Sequence, residues 1–102
     1  MNIKNLREAD DWFSVLQTSG KTQTALMTLK PGQSSGEEPE AHEKSEQVLL
    51  VLEGEVVAEI EGERKTMKTR DVVIIPPGTC HKFTNESKEP VVTFNTYSPP
   101  EY

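Results

Sequence analysis

Apolar residues along this chain come in short runs with the spacing of strands. From Gln47 to Glu53, Gln47, Leu49 and Val51 alternate with Val48, Leu50 and Leu52, so an extended segment is apolar on both faces except at its first residue. Burial on both sides is expected, with one face toward an interior and the other against a second sheet or a partner subunit. Turn signals punctuate the rest at close intervals: Ser19-Gly20, Pro31-Gly32, Ser35-Gly36, Glu53-Gly54, Glu61-Gly62, Pro77-Gly78, Asn85-Glu86-Ser87 and Ser98-Pro99-Pro100. The segments between them are too short for ordinary helices. They predict strands over 12–18, 22–30, 47–53, 55–60, 64–69, 72–75, 82–84 and 91–97. Eight short strands suit an all-β jelly-roll barrel. Leu6, Ala9, Phe13 and Leu16 fall at a helical spacing, which allows a short helix ahead of the first strand.

Length and charge narrow the function classes. A chain of 102 residues has room for one domain and one core, with residues 1–11 as an extension before the strands. The net charge of −6 repels phosphate backbones and anionic headgroups, so neither nucleic acid nor a membrane is an expected partner. The longest aliphatic run, Val48 to Leu52, falls far short of the roughly 20 residues that span a bilayer. The first residues carry no apolar stretch or cleavage site of a secretory signal, and the single cysteine, Cys80, can form no internal disulfide. A cytoplasmic location is the expectation.

Two segments carry candidate chemistry. The first, Gly36 to Glu46, holds five glutamates and one histidine, which taken alone reads as a solvated acidic loop. Its spacing adds something: Glu40 and His42 alternate, so they share one face of an extended segment, and Gln47 follows at the mouth of the doubly apolar strand. An amide there either caps the sheet or faces a polar site, because an unpaired buried amide costs a few kcal/mol. In the second segment, an apolar strand ends at Pro76-Pro77-Gly78 and His81 opens the next strand. The only two histidines, His42 and His81, thus lie beside turns at strand ends, where side chains can converge on a barrel mouth.

These residues resemble the two motifs of the cupin superfamily. The second motif, G-x5-P-x-G-x2-H-x3-N, is matched from Arg70 through Pro76, Gly78 and His81 to Asn85, departing only at its first glycine. The first, G-x5-H-x-H-x3,4-E-x6-G, is matched in spacing, with Glu40 at the first histidine, His42 at the second, Gln47 at the glutamate and Gly54 at the close. Thr96-Tyr97-Ser98-Pro99-Pro100-Glu101 is similar to the tail of a group of small cupins with a Glu-x-His-x4-Gln first motif. The resemblance implies a conserved barrel over 22–97 and one divalent transition metal (Fe, Mn, Ni, Zn or Cu) held by Glu40, His42, Gln47 and His81. Two histidines and a carboxylate are the donors of the facial triad, and a Gln carbonyl oxygen can add a fourth, weak ligand.

Two function classes follow. In one, the ion acts on a small molecule in the barrel, as in a metal-dependent dioxygenase or isomerase. In the other, the barrel is a non-catalytic small-ligand binding or sensing module. A homodimer is expected from the second apolar face of the central strand. Among the remaining residues, Cys80 is expected to be a buried structural thiol pointing away from His81, and Lys44 and Lys82 to be solvated. Trp12, Phe13, Phe83, Phe94 and Tyr97 are expected mostly in the core, one or two of them lining the cavity with Met27. Asn85 is expected to tie down a turn.

Overall fold

A computed structural model describes residues 1–102. After a 3-10 turn at Leu6–Glu8 come eight strands: β1 Phe13–Thr18, β2 Gln23–Leu29, β3 Glu46–Glu53, β4 Glu55–Ile60, β5 Glu63–Lys68, β6 Val72–Ile75, β7 His81–Thr84 and β8 Val91–Ser98. The 3-10 turn is the only helical element, capped by Asn5 and Glu8. Its brevity has a local cause, since Phe13 and Leu16, which complete the helical spacing, are taken into β1. No helix is long and apolar enough to cross a membrane.

The strands form two antiparallel sheets, ordered β1-β2-β8-β3-β6 and β5-β4-β7. β8 runs between β2 and β3, pairing Tyr97 with both Gln23 and Gln47, and Thr93 with both Met27 and Val51. The inner faces meet in a core that includes Leu29, Leu49, Val51, Ile75, Phe83 and Val91. Burial of such side chains stabilises the fold by roughly 1.5–3 kcal/mol each. Gly54 closes β3 with a left-handed φ of 82°, and a Cβ there would stand 2.6 Å from the carbonyl oxygen of Pro90, so no other residue fits this turn. Asn85 ties down its turn, donating from Nδ2 to the carbonyls of Leu29 and Glu89 while Oδ1 accepts from Ser87.

Two expectations are narrowed, for the second face of β3 and for Trp12, and two are corrected, for Phe94 and Cys80. Val48, Leu50 and Leu52, the second face of β3, are half-buried, because the sheet's outer surface meets no second layer of this chain. Phe94 lies on that same half-buried surface, since the period-2 alternation of β8 sends Thr93 and Asn95 fully inside instead. Trp12, 43% exposed, stands at the cavity rim rather than in the core. Cys80 is also exposed rather than buried, since it lies in the segment ahead of β7 and is not itself a strand residue.

Candidate functional site

The mouth of the barrel is assembled by backbone pairing before any side chain acts. Glu40 and His81 exchange both backbone hydrogen bonds, at 2.9 and 2.8 Å, which makes them a directly opposed antiparallel pair with side chains on one face. Two residues on, the carbonyl of His42 accepts from the Gly78 amide at 2.8 Å, so the acidic loop is anchored to the Pro-Gly turn as well. Lys82 tightens the same loop, donating from Nζ to the Glu37 carbonyl at 2.7 Å.

These contacts bring the imidazoles of His42 and His81 within 4.9 Å of each other, centre to centre, tilted by 52°. His81 donates from Nδ1 to the carbonyl of Thr79 at 2.9 Å, which leaves the lone pair on Nε2. Burial holds the His81 imidazole below the ordinary histidine value, with His42 adding to the depression and Thr79 and Glu40 opposing it. The ring is therefore neutral at physiological pH. His42 Nδ1 lies 3.5 Å from Oε1 of Glu101.

Gln47 stands in the innermost row of the mouth, opposite Tyr97 on one side and Ile75 on the other. Its Nε2 donates to Oδ1 of Asn95 at 3.0 Å, while its Oε1 is the one buried side-chain polar atom without a hydrogen-bond partner. An unmet buried acceptor costs about 1–3 kcal/mol. That oxygen is free to accept from a donor, or to bind a cation, beside the histidines.

Glu40, His42, Gln47 and His81 all line one cavity of about 190 Å³, together with aromatic side chains that include Phe13, Tyr97 and Tyr102. They are not equally gathered: no three His, Cys, Asp or Glu side chains converge at metal-holding distance. The carboxylate of Glu40 rests against Gly36, where a Cβ would stand 3.4 Å from its Oε1.

The structure adds a wall to the cavity. Residues 99–102 cross the mouth, held by Ser45, which donates to the Pro99 carbonyl at 2.6 Å, and by buried Gln23. Gln23 accepts from the amides of Glu101 and Tyr102 and donates to the Tyr102 carbonyl. This seats the Tyr102 ring 5.0 Å from Phe13 and 5.1 Å from Tyr97. Burial raises both phenols above the ordinary tyrosine range, with the neighbouring Glu101 adding to it, so both keep their protons at neutral pH. Sequence reasoning missed Tyr102 and Gln23; the one signal for them was the polar Gln23 at an inward position of an apolar strand.

The comparisons agree on architecture. A family model described as "Cupin domain" matches residues 25–97. Among solved structures, BH2720 from Bacillus halodurans superposes with a TM-score of 0.87 at 23% identity, over 95% of this chain and 76% of that one. TT1209 from Thermus thermophilus does so with a TM-score of 0.83 at 28% identity, over 97% and 98%. A putative sugar phosphate isomerase from Acidithiobacillus ferrooxidans is similar at a TM-score of 0.69 and 23% identity, over 76% of this chain and 50% of that one. A search of curated proteins finds no match.

Proposed function

The chain belongs to the cupin domain family, and on that premise we propose that it holds one divalent transition metal ion through Glu40, His42, Gln47 and His81 and presents it to a small molecule in the adjoining cavity. The observation that carries this reading is the unpartnered Oε1 of Gln47, a buried acceptor lining the same cavity as two imidazoles, one of which has its Nε2 lone pair free. The donor set fits a borderline ion of the Fe, Mn, Ni, Zn or Cu group, with two nitrogens, an amide oxygen and a carboxylate. Glu40 would join by turning about its own side-chain bonds, because its backbone is already paired to His81. When bound, such an ion supplies Lewis acidity, or redox capacity toward O₂ if it is iron or manganese.

The chain's own residues set what can bind beside it. Phe13 and Trp12 offer flat apolar surface, and the protonated Tyr102 phenol, paired with the hydroxyl of Tyr97, offers a hydrogen-bond donor. The charged side chains of the lining, Glu38 and Glu40, are acidic, so a phosphate of the kind implied by the name of the isomerase neighbour would meet repulsion there. A small uncharged molecule with chelating carbonyl or hydroxyl oxygens suits this lining better, and isomerase- or oxygenase-like chemistry on it is the activity proposed. The second reading is a small-ligand binding module without an ion. It is favoured by the lack of three His, Cys, Asp or Glu side chains gathered at metal-holding distance, with the Glu40 carboxylate resting against Gly36.

We also read the protein as a cytoplasmic homodimer. The exposed, unpaired Cys80 suits a reducing compartment, and the apolar outer face of the larger sheet offers the surface that a two-fold contact between copies would bury. Elemental analysis of purified wild type and His42→Ala tests the metal reading. Near-stoichiometric metal in the wild type, lost in the variant, is the expected result; a wild type that stays metal-free after reconstitution would leave the ion-free binding module.

A further inference from the structure

We infer that Asn95 and Thr93 are positioning residues that dictate which end of the Gln47 side chain faces the cavity. The inference rests on the metal-binding reading of that cavity and concerns a set of buried polar groups running from β3 to β2 beneath it.

The polarity of this set follows from one atom that has no choice. The backbone carbonyl of Met27 can only accept, so the hydroxyl of Thr93, 3.0 Å away, spends its single hydrogen there. Thr93 Oγ1 then has only lone pairs to offer, and Asn95, at 3.0 Å, must turn its Nδ2 toward it. This aims Asn95 Oδ1 at Gln47, and an amide oxygen accepts. Gln47 must answer with Nε2, again at 3.0 Å, and its Oε1 is left over. Thr93, Asn95 and Gln47 are all buried, so no bulk water can stand in for a missing partner. The strand register makes the path: Thr93 lies opposite Met27 in the β2–β8 pair, and Asn95 is diagonal to Gln47 in the β3–β8 pair.

Read outward, the relay transmits the direction of a backbone carbonyl to the mouth of the barrel. It also selects an amide at position 47 over the glutamate that the resembling motif carries. A carboxylate there would set acceptor against acceptor at Asn95 Oδ1. Turning Asn95 around to relieve this would call for the Thr93 hydrogen and strip Met27 of its donor. The consequence is a neutral oxygen ligand held in one orientation before an ion arrives.

The test uses Co(II) as the probe with wild type, Thr93→Val, Thr93→Ser and Gln47→Leu. Valine matches threonine in shape but cannot relay, whereas serine keeps the hydroxyl. Loss of an outer orienting partner typically weakens a metal site by about 10–100-fold. Thr93→Val is expected to bind Co(II) at least about tenfold more weakly, with an altered visible absorption spectrum, and Thr93→Ser to recover both. The side-chain amide protons of Gln47 and Asn95, followed by NMR in metal-free protein, are expected to be slow to exchange in wild type and faster in Thr93→Val. Wild-type affinity and spectrum in a folded Thr93→Val, while Gln47→Leu loses the ion, would overturn the relay. Failure of wild type itself to bind Co(II) would sink the metal reading, and the amide exchange rates would then decide the relay on their own: equal rates in wild type and Thr93→Val overturn it.

Discussion

The two faces of the five-stranded sheet each depart in part from the usual assignment of polar and apolar side chains, the inner one beside an otherwise apolar core. The inner face buries Gln23, Gln47, Thr93 and Asn95, while the outer face leaves Val72 and Ile74 61% and 59% exposed beside half-buried Val48, Leu50 and Phe94. Register makes the outer set one patch, because Val48 pairs with Ile74, and Leu50 pairs with both Val72 and Phe94. Buried polar groups are tolerated where they satisfy one another, and here the one atom left unsatisfied lies at the cavity. Contiguous exposed apolar surface marks contact with something outside the chain. The difference teaches that each face is incomplete in its own way: the inner one lacks a partner for an oxygen, the outer one a cover for hydrocarbon.

The largest expected effect separates the faces by burial. Leu49 is fully buried on the inner face, and Leu50, its neighbour in β3, is half-buried on the outer one. Leu49→Ala should cost about 2–5 kcal/mol of folding free energy through lost contacts and a cavity, and Leu50→Ala about 1 kcal/mol or less in the monomer. Urea unfolding at low protein concentration measures both. Equal losses would mean that the outer face is covered within a single chain.

A second substitution acts on the outer face alone. Ile74→Asp puts a charge into the apolar patch at a position with little to lose in the monomer. It should turn a dimer into a monomer in light scattering while leaving Co(II) affinity within about twofold of wild type, because the Ile74 side chain stands on the sheet face opposite the cavity. A wild type that is monomeric at high concentration would remove the dimer from consideration, and a dimer that survives Ile74→Asp would move the contact elsewhere.

How far each face could be read in advance follows from parity. In β3 the unbroken run from Val48 to Leu52 announced a central strand, and the spacing of Glu40, His42, Gln47 and His81 to the turns announced a common mouth, which the structure realises as one cavity lining. β8 was not legible in this way. Val91 and Tyr97 favour one parity and Val92 and Phe94 the other, so hydropathy pulled Phe94 inward. The observed phase buries Val91 and Tyr97 and joins Thr93 and Asn95 in hydrogen bonds from Gln47 to Met27, a property of three strands together and of none alone. Tyr102 was out of reach for a related reason: its place depends on Gln23, 79 positions earlier. Alternation along a strand could not place Cys80, which stands exposed ahead of β7 while His81, the first residue of that strand, is buried.

The smallest effect distinguishes the faces by titration. The outer patch of Val48, Leu50, Val72, Ile74 and Phe94 has no group that changes charge, whereas the inner mouth holds His81 below its usual value of 6.5, chiefly by burial. Near that pH the unfolded chain binds more protons at this residue than the folded one does, so protons favour unfolding. The contribution of His81 is therefore whole above about pH 6.5 and is lost as pH falls from there toward the depressed folded value. Thermal melts of metal-free protein in a chelator between about pH 8 and 5.5 should show a falling midpoint in wild type, and a shallower fall in His81→Gln, which keeps a polar group but cannot titrate. Because the facing groups are the like-charged His42 and the opposing Glu40, a Glu40→Gln variant should steepen the wild-type fall, as it removes the anion that stabilises protonated His81. Parallel slopes in all three proteins would mean that the mouth is wet enough to leave His81 an ordinary histidine, and the electrostatic contrast between the faces would disappear with it.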